Sequence, residues 1–394
     1  MTLRFLTAGE SHGPALTVIL EGLPAGLPVD EAALQKELLR RQTGFGSGGR
    51  MKIESDRARI LSGVMAGVTT GAPIALLIEN LDHAHWRNKE VGAFTTPRPG
   101  HADLTGAVKY GYGDLRPALE RASARETAAR VAMGALCKAF LLEFDIHIGG
   151  YVSAIGVVDA DLSRIPLEER SGLAEENDVR CPDENGAAAM QAAIRQAMQE
   201  RNTLGGIIEI AAFGLPAGLG SFVQWDRRLD ARLGAALLSI PAIKGVEIGP
   251  AFENARLPGT QAHDAIRAKG ESLVRGSNRA GGLEGGVTNG QPLHLRLAMK
   301  PIATTLAPQE SVDLANGSET KTTYERSDFC PVPRAVPVCE AMTAFVLADA
   351  LLEKLGGDSL DEMKPRFDTL RKVSLGDLRM TGKPVTFWPD REDA

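Results

Sequence analysis

The sequence predicts an α+β fold in which two related halves form one domain. Two internal echoes and a mixture of strand and helix patterns carry this reading. GLPAGL occurs at 22–27 and again at 214–219, each time after an apolar, β-rich run. GVTTGAPIALLI at 67–78 is matched by GVTNGQPLHLRL at 286–297, in both cases a Gly/Thr/Pro turn leading into a strand. The two echoes keep the same order and similar offsets. This implies pseudo-two-fold internal symmetry, with a site at the junction drawing on both halves. The halves run roughly over 1–150 and 151–356. The tail, 357–394, carries charge without a strong period and is expected to be peripheral.

In chain order, strands are expected at 3–7 and 15–21. A helix over 30–41 has Asp30 as its N-cap and Leu34 and Leu38 on one face. Strands at 58–64 and 73–78 follow. A helix over 122–143 places Ala128, Val131, Ala132, Ala135, Leu136 and Ala139 along one buried stripe. Further strands are expected at 151–158, 206–213 and 293–299, and further helices at 186–200, 228–238 and 337–355.

Composition narrows the function. The chain has 394 residues and a formal net charge of −6, which argues against a dedicated nucleic-acid binder. Its opening, MTLRFLTAGESHG, lacks the apolar core of a signal peptide. Apolar stretches fall short of the roughly 20 residues of a membrane span. Cys137, Cys181, Cys330 and Cys339 show no C-x-x-C spacing, so no metal site is expected. The expectation is a cytoplasmic protein that binds neither membrane nor nucleic acid. Its 43 glycines imply many tight turns, or close approach of backbone to a ligand.

Several loops carry candidate chemistry. GESHG at 9–13 matches the G-x-S-x-G nucleophile elbow in letters, but the elbow needs a strand-to-helix turn in mid-sheet and a strand follows here. What remains is a glycine-pinched loop presenting Ser11 and His12, the imidazole a candidate proton donor. RRQTGFGSGGR at 40–50 sets Arg40, Arg41 and Arg50 around glycines, and RPGHAD at 98–103 puts Arg98 near His101. ERSDFCPVPRAVP at 325–337 adds Arg326, Asp328 and Arg334. In RPALERASARETAAR at 116–130, Arg121 and Arg125 lie four apart and would share a face at a helix start. Cations there oppose the helix dipole, and a bound anion would satisfy them together with the free N–H groups. The arginine run therefore reads as a receptor for phosphate and carboxylate groups.

GESHG, RPGHAD, RASARETAARVAMGA and PRAVP, in this order, closely resemble the chorismate synthase family in its bacterial short form, across essentially the whole chain. The resemblance implies a β-α-β sandwich with helices between antiparallel sheets, assembled as a homotetramer. It implies a lyase of the shikimate pathway of aromatic amino acid biosynthesis. The reaction is anti-1,4-elimination of phosphate from 5-enolpyruvylshikimate 3-phosphate to give chorismate, and it requires reduced FMN without net redox change. NADPH enters only through flavin reduction, and an external flavin reductase is expected for the short form.

By the same resemblance, His12 is the acid near the reduced flavin and His101 the acid that protonates the departing phosphate. Asp328 is the carboxylate that assists proton removal through the flavin. Ser11 and Ser123 lie beside flavin and substrate. Arg41, Arg50, Arg98, Arg125 and Arg326 form the cationic clamp. FMN contacts fall on Arg121, Ala122, Ser123, Pro241, Ala242, Gly285, Lys300, Pro301, Ile302, Ala303, Thr304 and Arg326. Two positions depart from the family pattern. Ser47 stands where an arginine is usual, and Pro241 stands where asparagine is common, removing a side-chain amide and a backbone donor.

Overall fold

Alternation of apolar and polar side chains builds the first of two sheets. A computed structural model describes residues 3–48, 54–323 and 327–388. Strands β1 (Arg4–Ala8), β2 (Ala15–Glu21), β3 (Ala58–Ser62) and β4 (Ile74–Glu79) lie in the order β1-β2-β4-β3, all antiparallel. Leu16, Val18 and Leu20 of β2 and Ile74, Leu76 and Ile78 of β4 are buried on one face, as a period of two dictates. The second sheet contains β5 (His147–Ile155), β6 (Val158–Asp159), β7 (Gly206–Phe213), β8 (Ile243–Ile248) and β9 (Leu293–Met299). Its order is β8-β9-β7-β5-β6, again antiparallel.

The main helices are α1 (Glu31–Gln42), α2 (Asp103–Tyr110), α3 (Arg116–Ala122), α4 (Thr127–Leu142), α5 (Leu167–Ala174), α6 (Glu184–Gln199), α7 (Leu229–Leu238), α8 (Val332–Leu355) and α9 (Leu360–Asp368). Helix α4 packs on β2 and β4, α8 packs on β5 and β7, and the two helices pack on each other. The helical layer of the sandwich is thus two helices deep. At their crossing Gly134 meets Ala341, where an added Cβ would lie 2.2 Å from the alanine Cβ.

The sequence echoes become a duplicated clasp. Thr69 donates its amide to Leu27 O and its hydroxyl to Pro24 O, while the amides of Gly26 and Leu27 donate to Thr69 O and Oγ1. Thr288 makes the same four bonds with Leu219, Pro216 and Gly218. Each threonine stands beside the matching antiparallel bridge, Pro28 to Val68 and Gly220 to Val287.

Three elements differ from expectation. The helix expected over 122–143 is broken at Ser123, whose backbone is extended (φ −64°, ψ 140°) and whose hydroxyl accepts from the Arg125 amide. The apolar stripe begins at Ala128, beyond this break, so its periodicity does not report on Ser123. The strand expected at 151–158 starts earlier, at His147, and turns at Gly156 (φ +58°) before β6. The last long helix starts at Val332 instead of 337, with Pro337 inside it. Proline offers no N–H to the carbonyl four residues back, and Arg180 Nη1 donates to that Pro333 carbonyl instead, at 2.7 Å. This helix is also long and apolar enough, by composition, to cross a membrane, an 18-residue stretch of it having mean hydropathy 1.7, but 89% of that stretch is buried inside the protein. In the tail, Leu360 and Met363 of α9 are buried, and Phe387 and Trp388 are exposed.

Buried charges tie these layers together. Glu340 of α8 accepts from Arg40 at 2.6 and 2.8 Å and from Lys138 at 2.5 Å. On the second sheet, Glu209 accepts from Tyr151 at 2.6 Å and lies 2.8 Å from His294 Nε2. Burial alone would raise both carboxyls. Arg40 and Lys138 outweigh it for Glu340, and the His294 and Tyr151 hydrogen bonds outweigh it for Glu209, holding each at about 2. Groups depressed from an ordinary 4.5 contribute stability above that pH and lose it as pH falls toward 2. The urea midpoint is therefore expected to be lower at pH 3 than at pH 6, and Glu209→Gln should flatten that dependence.

Candidate active site

Segments from both halves close around a cavity of about 880 Å³. The loop after β1, the 98–102 loop, α3 with the break behind it, the turn before β8, the segment after β9 and the lead into α8 all line it. Gly9 allows the first of these turns. Its φ is +111°, and a Cβ there would fall 2.4 Å from Ala15 O.

His12 and His101 both reach the cavity, and each is held the same way. His12 Nδ1 is 2.7 Å from Glu120 Oε1, and the other Glu120 oxygen accepts the His12 backbone N–H at 2.7 Å. Trp86 lies against the imidazole, ring centroids 4.5 Å apart, and Asp82 is 4.0 Å from Nε2. His101 Nδ1 is 2.6 Å from Asp103 Oδ1. An ionised carboxylate only accepts, so each Nδ1 carries the proton and any exchange falls to Nε2, which in His12 lies 4.0 Å from Asp82 and in His101 3.4 Å from Arg98 Nη2. Burial would raise the Asp103 carboxyl, but hydrogen bonds from Arg98 and His101 hold it well below the usual carboxylate range. Ser123 Oγ and Ser11 Oγ are bonded to each other at 3.1 Å, and both line the cavity.

The arginines divide into two groups. Arg41 and Arg125 are buried at the cavity floor and share Asp56. Arg41 also donates to Thr127 Oγ1 and Ala124 O, and Arg125 to Asn80 Oδ1 and Glu79 O. Burial, reinforced by nearby Arg334 and Arg125, draws Arg41 down to about 9 against the pull of Asp56, so it remains cationic near neutrality. Arg121 is instead exposed, its Nη2 near Thr7 at 3.1 Å. This corrects the helix-start reading. Arg121 occupies the last turn of α3, where a cation complements the helix dipole, and Arg125 sits beyond the break in a 3-10 turn, so the two share no helix face. Asp328 accepts from the Gly48 amide at 2.8 Å and from Arg334 Nη1, and both partners line the same cavity.

A family model described as chorismate synthase matches residues 3–352. The chain belongs to the chorismate synthase family. A chorismate synthase of Chlorobaculum tepidum is 53% identical over 387 residues, covering 94% of this chain and 98% of that one. One of Syntrophotalea carbinolica is 52% identical over 371 residues, covering 92% and 96%. A crystal structure of chorismate synthase superposes with a TM-score of 0.77 at 45% identity, covering 93% of this chain and 97% of that chain. The family is one of lyases, and its α+β architecture is the one observed here.

Most residues matched to the family pattern meet in this cavity. Arg98, Ala122, Pro241, Ala242, Lys300, Ile302, Ala303 and Thr304 line it with the two histidines, the two serines and Asp328. Pro301 points to solvent. Gly285 lies in the turn between Leu283–Glu284 and Val287–Thr288, outside the lining. Arg50 and Arg326 fall outside the described residues. Sequence reasoning passed over Glu120, Asp103 and Trp86, and it noticed Arg334 without placing it in the site. Asp103 was legible in principle, two residues from His101 inside RPGHAD. Glu120 lies 108 residues from His12, and no local signal joins them.

Proposed function

We propose that this protein catalyses the anti-1,4-elimination of phosphate from 5-enolpyruvylshikimate 3-phosphate to give chorismate. The observation that carries the reading is the pair of imidazoles, each held at Nδ1 by a carboxylate and opening into one cationic cavity. His101 donates a proton from Nε2 to the departing phosphate, whose charge a cation-lined, enclosed site stabilises. Arg121, Arg334 and Lys300 lie at the cavity surface as direct partners for phosphate and carboxylate groups. Arg41, Arg98 and Arg125 are each paired with buried carboxylates and fix the shape of the site behind them, and Arg50 and Arg326 are proposed as further members of the clamp on the family pattern alone.

The cavity chemistry fits FMN. Pro241, Ala242, Met299 and Ile302 offer an apolar wall for a planar ring, and Arg121 and Lys300 offer cations for its phosphate. Ala122, Ser123, Ala303 and Thr304 are the remaining proposed contacts in the cavity, and Pro301, Gly285 and Arg326 are carried over from the family pattern alone. When bound in its reduced form, the flavin supplies the electron-rich partner that the elimination requires. His12, fixed by Glu120 and Trp86, holds a proton at Nε2 beside that site. Asp328, fixed by the Gly48 amide and Arg334, would present a carboxylate to the same cavity, and Ser11 and Ser123 would orient substrate there.

The assembly is a homotetramer of single-domain subunits in the cytoplasm. The outer face of the first sheet supports association: Leu6 is 74% exposed and stands opposite Ile19, which is 47% exposed. NADPH acts only through an external flavin reductase.

An anaerobic assay separates the parts of this reading. Pre-reduced FMN with substrate should release phosphate and chorismate in equal amounts, and NADPH with oxidised FMN should do so only when a reductase is added. Thermal stabilisation by substrate without phosphate release would identify a binder of phosphorylated ligands instead.

A further inference from the structure

We infer that Asp103 is a positioning residue that fixes the tautomer of His101, and that Arg98 serves the site chiefly by holding Asp103. The inference rests on the proposed role of His101 as the acid at the leaving phosphate. Asp103 opens α2 with its side chain fully buried. Arg98 grips it in a fork, Nε to Oδ2 at 2.8 Å and Nη2 to Oδ1 at 2.9 Å, and the Arg98 backbone N–H adds a third bond at 3.0 Å. The rest of Arg98 is anchored as well. Nη1 donates to Thr304 Oγ1 at 3.0 Å, and the guanidinium lies 5.7 Å from the Phe94 ring centroid.

Two consequences follow for the imidazole. An Asp103 carboxylate gripped by a guanidinium stays ionised, so it accepts the Nδ1 proton as a hydrogen bond without taking it. Proton exchange is then confined to Nε2, which lies 3.4 Å from Arg98 Nη2 in a residue that lines the cavity. The ring is also fixed in angle, because its partner is buried and bound at both oxygens. Arg98 Nη2 approaches His101 Nδ1 to 3.0 Å, but both are donors in this tautomer, so that approach is a consequence of sharing Asp103 Oδ1 and not a bond.

The test is a double-mutant cycle on the FMN-loaded enzyme under anaerobic conditions. Asp103→Asn should lower kcat by on the order of 10²-fold or more, since an amide in this place favours the wrong tautomer. KM for substrate and the Kd for FMN should stay within about threefold. In a His101→Ala background the same substitution should cost less than about threefold, because the group it positions is gone. Asp103→Glu keeps the charge that Arg98 requires but displaces the carboxylate. It should lower kcat about tenfold with an unchanged melting transition, and it carries the test if the asparagine variant does not fold. An unchanged kcat in both variants, or equal loss in both backgrounds, would overturn the role of Asp103. An inactive wild-type enzyme would remove the reading on which it rests.

Discussion

His101→Ala should lower phosphate release on the order of 10³-fold while FMN affinity stays within about threefold, because a positioned acid commonly contributes about 10²–10⁴-fold. The loss corresponds to about 4 kcal/mol of transition-state stabilisation. His101 lies in the 98–102 loop and touches Arg98 and Asp103, whereas the apolar wall proposed for the flavin comes mainly from Pro241, Ala242 and Ile302. Removing one imidazole should therefore appear in kcat and leave cofactor binding intact. Normal turnover in this variant would show that the departing phosphate takes its proton elsewhere. Parallel loss of FMN binding and turnover would show that the ring is structural.

The second large effect is on stability. Gly134→Ala should lower the free energy of unfolding by about 2 kcal/mol, and Gly134→Leu should prevent stable folding. A glycine in mid-helix ordinarily gains about 1 kcal/mol when replaced by alanine. Here the new Cβ would lie 2.2 Å from Ala341 Cβ and 2.5 Å from its Cα, so α4 and α8 would have to separate. Overpacking of a core typically costs 1–3 kcal/mol and exceeds the propensity gain. Because the nearest atom is the alanine methyl, Ala341→Gly in the Gly134→Ala background should restore part of the stability, read as the denaturant midpoint. A Gly134→Ala protein as stable as wild type would mean that the two helices shift apart freely.

Where local chemistry decides structure, the sequence was legible. Alternation placed β2 and β9 at their observed bounds, the apolar run GIIEIAAF placed β7, and Asp30 caps α1 through its side chain as its position implied. The GLPAGL echo became a repeated threonine clasp. What escaped was set by distant partners. The break at Ser123 is the exception: it has a local signal, the S-x-x-E spacing from Ser123 to Glu126 that starts a helix, but the expected unbroken helix over 122–143 overrides it. Pro337 looked like a helix start because the side chain that relieves its missing N–H, Arg180, is 153 residues from the carbonyl it bonds. The site followed the same division. Its histidines, its serines and Asp328 stand in recognisable loops, while the anchor of His12 comes from across the fold. Arg41 and Arg125 were visible as cations but not as partners in a shared buried pair with Asp56.

The long helix α8 has a consequence for how the molecule is made. Its binding surfaces on α4, β5 and β7 belong to earlier parts of the chain, so a ribosome finishes them while the helix that covers them has yet to emerge. Until residues 332–355 arrive, those surfaces face water, and the helix itself is greasy enough to seek a bilayer. Its docking therefore joins two events into one: a single late insertion hides a long apolar helix and sets Arg334 beside Asp328 in the cavity lining.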